Sequence, residues 1–159
     1  MIAFAVPFAA SAQIGATLDD CKKQFGAVID TYRYDEGRGT EYEFHVDSYE
    51  VLVVPLHDRV ARITISSKTP FDERTVAALL AQYSRIDRWK PHPEKTKAVT
   101  SAFPALIADF PGWRFFTTDD NTLYAVLYKM DFSSMPHKLS ITTKDFQSEL
   151  KKLPPKPPE

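Results

Sequence analysis

Ile63-Thr64-Ile65-Ser66-Ser67-Lys68 and, further on, Leu139-Ser140-Ile141-Thr142-Thr143-Lys144 are the stretches on which the fold turns. Each alternates large apolar side chains with hydroxyls, which is the period of a strand with one face buried. Each is followed by a phenylalanine at helical spacing with further apolar residues: Phe71 leads into Val76, Leu79, Leu80 and Tyr83, and Phe146 into Leu150 and Leu153. Strands, a hydroxyl step and a helix thus occur twice. Turn and cap chemistry could converge on this echo. A true repeat would set two α/β units side by side on a shared or continuous antiparallel sheet.

Outward from these stretches, the punctuation is regular. A helix is expected over 17–25, because Thr17 and Asp20 have capping-box spacing and Gly26 can supply a left-handed stop. Tyr32 and Tyr34 lead to a Gly37-Arg38-Gly39 turn. Tyr42, Phe44 and Val46 then alternate with Glu41, Glu43 and His45, a strand with its polar side in water. Asp47-Ser48 and His57-Asp58-Arg59 turn into strands over 51–54 and 61–66. The second helix is expected to start at Thr69, with Pro70 in its first turn. Residues 85–110 carry Pro91, Pro93 and Pro104 and read as a long crossing loop with a short helix near Ala105. Strands return over 113–117, 123–129 and 138–142, with an Asp119-Asp120-Asn121 hairpin turn, and a last helix spans 143–153.

The expected fold class is therefore α+β: an antiparallel β-meander sheet packed with two to three amphipathic helices. A single domain covers 13–153, with pseudo-repeats over 17–84 and 110–153 joined by a crossing loop over 85–109. The proline-rich residues 154–159 form an extended, disordered tail.

Ahead of the domain, residues 2–10 are apolar throughout and Ala10-Ser11-Ala12 gives the small-x-small pattern of a signal peptidase site. The pattern predicts a signal peptide, truncated at its start, over 1–12, and hence export to the periplasm or beyond. The run is too short to span a bilayer. The chain holds 159 residues, 20 basic against 21 acidic, so no broad positive field attracts nucleic acid. Cys21 is the single cysteine, spaced with Leu18 and Phe25 on an apolar helix face. It reads as a core residue.

The spacing of the chain's polar residues carries no catalytic or cofactor signature. His45, His57, His92 and His137 have no ligand partner at metal-binding intervals, and no phosphate-cradling glycine loop occurs. No cofactor or metal is expected. Glu41, Glu43 and His45 share one strand face, the type of arrangement that acid–base chemistry uses. A solvated face gives the same pattern.

Aromatic residues, at 13%, carry the stronger signal. Residues 123–128 are apolar on both faces. If Leu123, Ala125 and Leu127 face the helices, Tyr124, Val126 and Tyr128 line the other side, joined by Arg114 and Phe116 of the neighbouring strand. Exposed tyrosine, phenylalanine and arginine have the composition of a protein-binding patch. Residues 85–110 crossing that face would cover it instead. A secondary candidate is Arg88-Trp89-Lys90, which invites ligand stacking, although such a tryptophan also serves to anchor a loop.

Gly15-x-Thr17, the short helix, Phe25-Gly26 and the meander resemble the envelope superfamily that includes the outer-membrane assembly lipoproteins (SmpA/OmlA-like). The tandem helix-plus-sheet pattern is similar to that of the β-lactamase inhibitory protein. Exported proteins of environmental bacteria share a helix leading to a Trp (here Trp89), a later Trp, an Asp turn and an Ile-Thr-Thr-Lys ending. The resemblance implies an exported α+β fold. Gly26 is followed by Ala27-Val28 where the lipoproteins have a proline, and no lipidated cysteine stands at the mature start, so their assembly role does not carry over. The expected function is a noncatalytic binding or adaptor protein of the bacterial envelope, recognising a protein partner through a sheet face. The alternatives are a small periplasmic hydrolase using Glu41, Glu43 and His45, and a small-molecule carrier.

Overall fold

The computed structural model describes residues 13–33, 39–84, 88–92, 113–130 and 133–152. Its elements run α1 (Leu18–Phe25), β1 (Asp30–Arg33), β2 (Thr40–Val46), β3 (Tyr49–Leu56), β4 (Arg59–Ser67), α2 (Glu73–Ser84), β5 (Trp89–Pro91), β6 (Arg114–Thr118), β7 (Leu123–Lys129), β8 (His137–Thr143) and α3 (Lys144–Lys152). The fold is mixed α+β and dominated by its sheet. Among the described residues, eight strands join one antiparallel sheet in the order β1-β2-β3-β4-β8-β7-β6-β5. Two four-strand meanders therefore meet where β4 pairs with β8.

That seam is built from the two echoing stretches. Ile63 pairs with Ile141, Thr64 with Ser140 and Ile65 with Leu139. The four apolar side chains are fully buried, each contributing roughly 1.5–3 kcal/mol by leaving water. They continue into Phe44, Val51 and Val53 on one flank and Ala125 and Phe116 on the other. Cys21 and Phe25 of α1 and Val76, Leu79, Leu80 and Tyr83 of α2 complete this cluster, so α1 and α2 both pack on one face, here called the helix face. The Phe25 ring meets Phe44 edge-on at 5.4 Å, within the favoured aromatic range.

Local chemistry sets the helix ends. Thr17 caps α1: its Oγ1 accepts from the Asp20 N–H at 3.2 Å, while the Asp20 carboxylate accepts from the Thr17 N–H at 3.1 Å. The chain leaves α1 through Gly26 at φ 92°, a conformation that penalises any Cβ. The second helix starts later than Thr69. Asp72 caps it, with Oδ1 accepting from the Thr75 N–H at 2.6 Å. Thr69 instead gives its N–H to Ser67 Oγ at 3.1 Å, which holds the preceding turn out of the helix. Thr143 caps α3 by accepting from the Phe146 N–H at 3.1 Å.

Two-residue connections tighten the first meander. His57 and Asp58 both take positive φ, 50° and 63°, as a hairpin turn matched to strand twist requires. Beyond it Val60 pairs with Pro55 but Arg62 pairs with Val54. Ala61 is thus an extra residue, a bulge that turns it to the opposite face from Ile63. There it joins Val54 and Phe146 of α3 in a second, small apolar cluster. Within the span read as a crossing loop, Trp89–Pro91 forms an edge strand paired to β6. The expected helix near Ala105, the signal segment over 1–12 and the tail over 154–159 lie outside the described residues, as do Leu153 and the side chain of Leu150.

Candidate functional site

The sheet face opposite α1 and α2 is where chemistry collects. Strand register aligns it in rows. One runs His45, Glu50, Ser66, Lys138, Tyr128, and the next Glu43, Leu52, Thr64, Ser140, Val126, Phe115. A sheet with one face on its core normally leaves the other wet. Here several polar residues of the second face are withdrawn from solvent: Ser66 is 0% exposed, Glu41 and Thr64 6%, and Lys138 and Ser140 9%.

All of these but Ser66 border a pocket of ≈ 470 Å³ lined by Glu41, Leu52, Arg62, Thr64, Tyr128, Met130, Ser133, Lys138 and Ser140. Arg62 donates from Nη2 to Glu41 Oε2 at 2.6 Å and lays its guanidinium 5.3 Å from the Phe146 ring centre. Its buried Nε has no acceptor among the described residues. Thr64 donates from Oγ1 to Ser140 Oγ at 3.0 Å, and Lys138 donates from Nζ to Ser66 Oγ at 3.1 Å. Burial pushes the Tyr128 phenol up, so its hydroxyl remains a donor at neutral pH. The Tyr128 ring packs 5.2 Å from that of Trp113.

The predicted aromatic patch is divided between faces. Tyr124, Val126 and Tyr128 do share the second face, all half-buried. Arg114 and Phe116 do not join them. Phe116 pairs with Ala125 and Arg114 with Leu127, which places both on the helix face. Phe116 belongs to the main core, and Arg114 stacks on its ring at 5.2 Å while binding Glu73 of α2 through both terminal nitrogens. The second-face neighbours of Tyr124 and Tyr128 are instead Thr117, Phe115 and Trp113. Because Phe115 and Phe116 are adjacent aromatics, alternation alone gave no means of choosing between them; only the pairing register does. Ile29 and Tyr32, on and beside edge strand β1, are the exposed large apolar side chains among the described residues.

The Arg88-Trp89-Lys90 candidate is a loop anchor in its geometry. Trp89 packs against the main core and donates from Nε1 to Ser84 Oγ at 3.1 Å. Lys90 reaches Asp119 at 3.5 Å, and Arg88 is exposed.

Glu41, Glu43 and His45 share a face but separate chemically. Glu41 turns into the pocket toward Arg62. Glu43 accepts from the Tyr32 hydroxyl at 2.8 Å and lies 3.1 Å from His45 Nε2, with the imidazole 60% exposed. Strand pairing also brings Glu50 beside His45, so one ligand atom each from Glu43, His45 and Glu50 fall within 4.8 Å of one another. Linear spacing concealed this grouping because Glu50 arrives from β3. A cation there would have to displace the Tyr32 and His45 donors that already occupy the Glu43 carboxylate.

Cys21 is fully buried, and desolvation pushes its thiol up to about 11, the reverse of nucleophile activation. Asp120, in the hairpin turn between β6 and β7, is held by Thr118 and Thr122; Thr118 Oγ1 donates to it at 2.6 Å and keeps its carboxyl below the usual range. Among the described residues, no helix is long and apolar enough to cross a membrane.

No family model and no curated protein matches the chain. Among solved structures it is similar to a cysteine-rich secretory protein of Staphylococcus aureus, with 12% identity and a TM-score of 0.44 over 89% of this chain and 49% of that one. The chain thus spans about half the length of that protein. At that score the likeness transfers neither fold nor activity.

Proposed function

We propose that this chain is a noncatalytic binding protein of the bacterial envelope that recognises its ligand through the second face of the sheet. The observation that carries the reading is the polar pocket, in which a lysine, an arginine–glutamate pair and several hydroxyls are held largely away from water beneath Tyr128. Burying such groups costs several kcal/mol per ion unless something repays it, and a core of equal stability needs none of them. The small-x-small segment at Ala10-Ser11-Ala12 and the resemblance to envelope proteins support export. The β4–β8 seam of echoing residues supports reading the two meanders as tandem units of the kind seen in the β-lactamase inhibitory protein.

The hydrolase reading draws less support. It needs Glu41, Glu43 and His45 to converge, and Glu43 and His45 are not among the pocket's lining residues. The test is amide chemical-shift mapping with a panel of small acids, amines, sugars and short peptides. Binding should move amides of β2, β4, β7 and β8 around the pocket, without turnover of the bound compound. Shifts confined to the helix face, or conversion of a bound compound, would overturn the proposal.

A further inference from the structure

We infer that the pocket between β2, β4, β7 and β8 takes a small monoanionic carboxylate with an apolar body. This rests on the binding role proposed for the same face and adds the chemical class of the ligand.

The charge count decides the sign. Glu41 and Arg62 neutralise one another at 2.6 Å, which leaves Lys138 as the uncompensated charge among the described residues that line the pocket. Lys138 is 9% exposed, and its hydrogen-bond partner among the described residues is a neutral hydroxyl, Ser66 Oγ. A buried ammonium without a counter-ion is a strong site for an anion. The remaining hydrogen-bonding capacity has the same polarity. Ser140 accepts from Thr64, so its own O–H is left to donate outward, and the Tyr128 hydroxyl has no protein partner among the described residues. Donors thus predominate, as an anion requires.

The count also sets the magnitude of the charge. One positive charge in excess among the described lining residues matches a monoanion. A phosphate dianion would bring a second negative charge toward Glu41, and no helix N-terminus or glycine loop is among the lining residues to receive it. Leu52, Met130 and the Tyr128 ring supply apolar wall, and ≈ 470 Å³ accommodates a carboxylate carrying a ring or a short chain.

The experiment titrates benzoate, benzamide and inorganic phosphate into the full chain at neutral pH and low salt, followed by amide shifts and calorimetry. Benzoate should bind with a Kd no weaker than about 10 mM, moving the amides around Ser140 and Lys138. Benzamide, of equal shape and no charge, and phosphate should each bind at least roughly tenfold more weakly. Lys138→Met should fold normally, since it removes a buried charge, and lose benzoate affinity by roughly tenfold or more; Lys138→Arg should retain it. Tyr128→Phe serves as a second variant, with a smaller loss of affinity. Equal binding of benzamide, unchanged affinity in Lys138→Met, or preference for phosphate would overturn the carboxylate assignment. If a neutral or cationic compound moves these amides while benzoate does not, the assignment fails and the binding face stands. If nothing moves them, both fall.

Discussion

Replacing Glu41 by glutamine removes one charge from the pocket while keeping its shape, and the structure sets the size of the effect. The Glu41 side chain is 8% exposed and that of Arg62 28%, so the pair is mostly desolvated and weakly screened. Removing one partner of a buried pair costs about 3–5 kcal/mol, because the other charge stays behind uncompensated. Two features lower that figure here. The amide oxygen of glutamine still accepts from Arg62, and the guanidinium keeps its contact with Phe146 at 5.3 Å, worth about 0.5–1 kcal/mol. The expected loss is about 2–3 kcal/mol, which for a domain of this size lowers Tm by about 4–12 °C. Thermal melts at about 20 mM and about 500 mM salt separate a buried pair from an exposed one, since only the latter is screened away. Adding Lys138→Met should recover a substantial part of the loss by removing the second stranded cation. A change of less than about 2 °C, or one abolished by salt, would show that Glu41 and Arg62 are solvated and would remove the basis for treating the pocket as a charged, dry site.

Two further outcomes follow from geometry remote from the pocket. Because burial raises the Cys21 thiol from 9.0 to about 11, the folded state holds this proton more tightly than the unfolded chain does. Its stabilising contribution is therefore full below pH 9.0 and is lost as pH rises to about 11; urea titrations of Cys21→Ala should show a shallower fall across that window than the parent, and identical slopes would contradict the burial. At the β3–β4 turn, Asp58 holds φ 63°, so Asp58→Gly should stabilise the chain by about 0.5–1 kcal/mol in urea unfolding, and a lower midpoint would count against strain at this position.

Sequence reasoning succeeded where the interacting groups are close along the chain. The Thr17–Asp20 capping box and the strand over 123–129 are both legible in a window of ten residues. The start of α2 was misplaced because Thr69-Pro70 and Asp72 both carry initiating chemistry; the structure chooses Asp72, whose carboxylate reaches Thr75, while Ser67 engages Thr69. The site was the least legible part. Alternation placed Glu41 in water, yet Arg62 lies 21 residues on, and Lys138 finds Ser66 across 72 residues. Such partners are set by strand order, which no local pattern encodes. The aromatic strand was found, but its neighbours came out one residue off, and a shift of one residue exchanges the faces of a strand.

The seam between β4 and β8 also has a consequence in time. During synthesis the first meander is complete at Ser67, but the partner of Ile63 is Ile141, which the ribosome supplies roughly 80 residues later, about 4–16 s at ordinary elongation rates. For that interval β4 presents an open hydrogen-bonding edge flanked by isoleucines, the sort of edge that recruits strands from other chains. The nascent half is therefore most vulnerable to aggregation before its counterpart emerges, and closure of the seam is the step that ends that exposure.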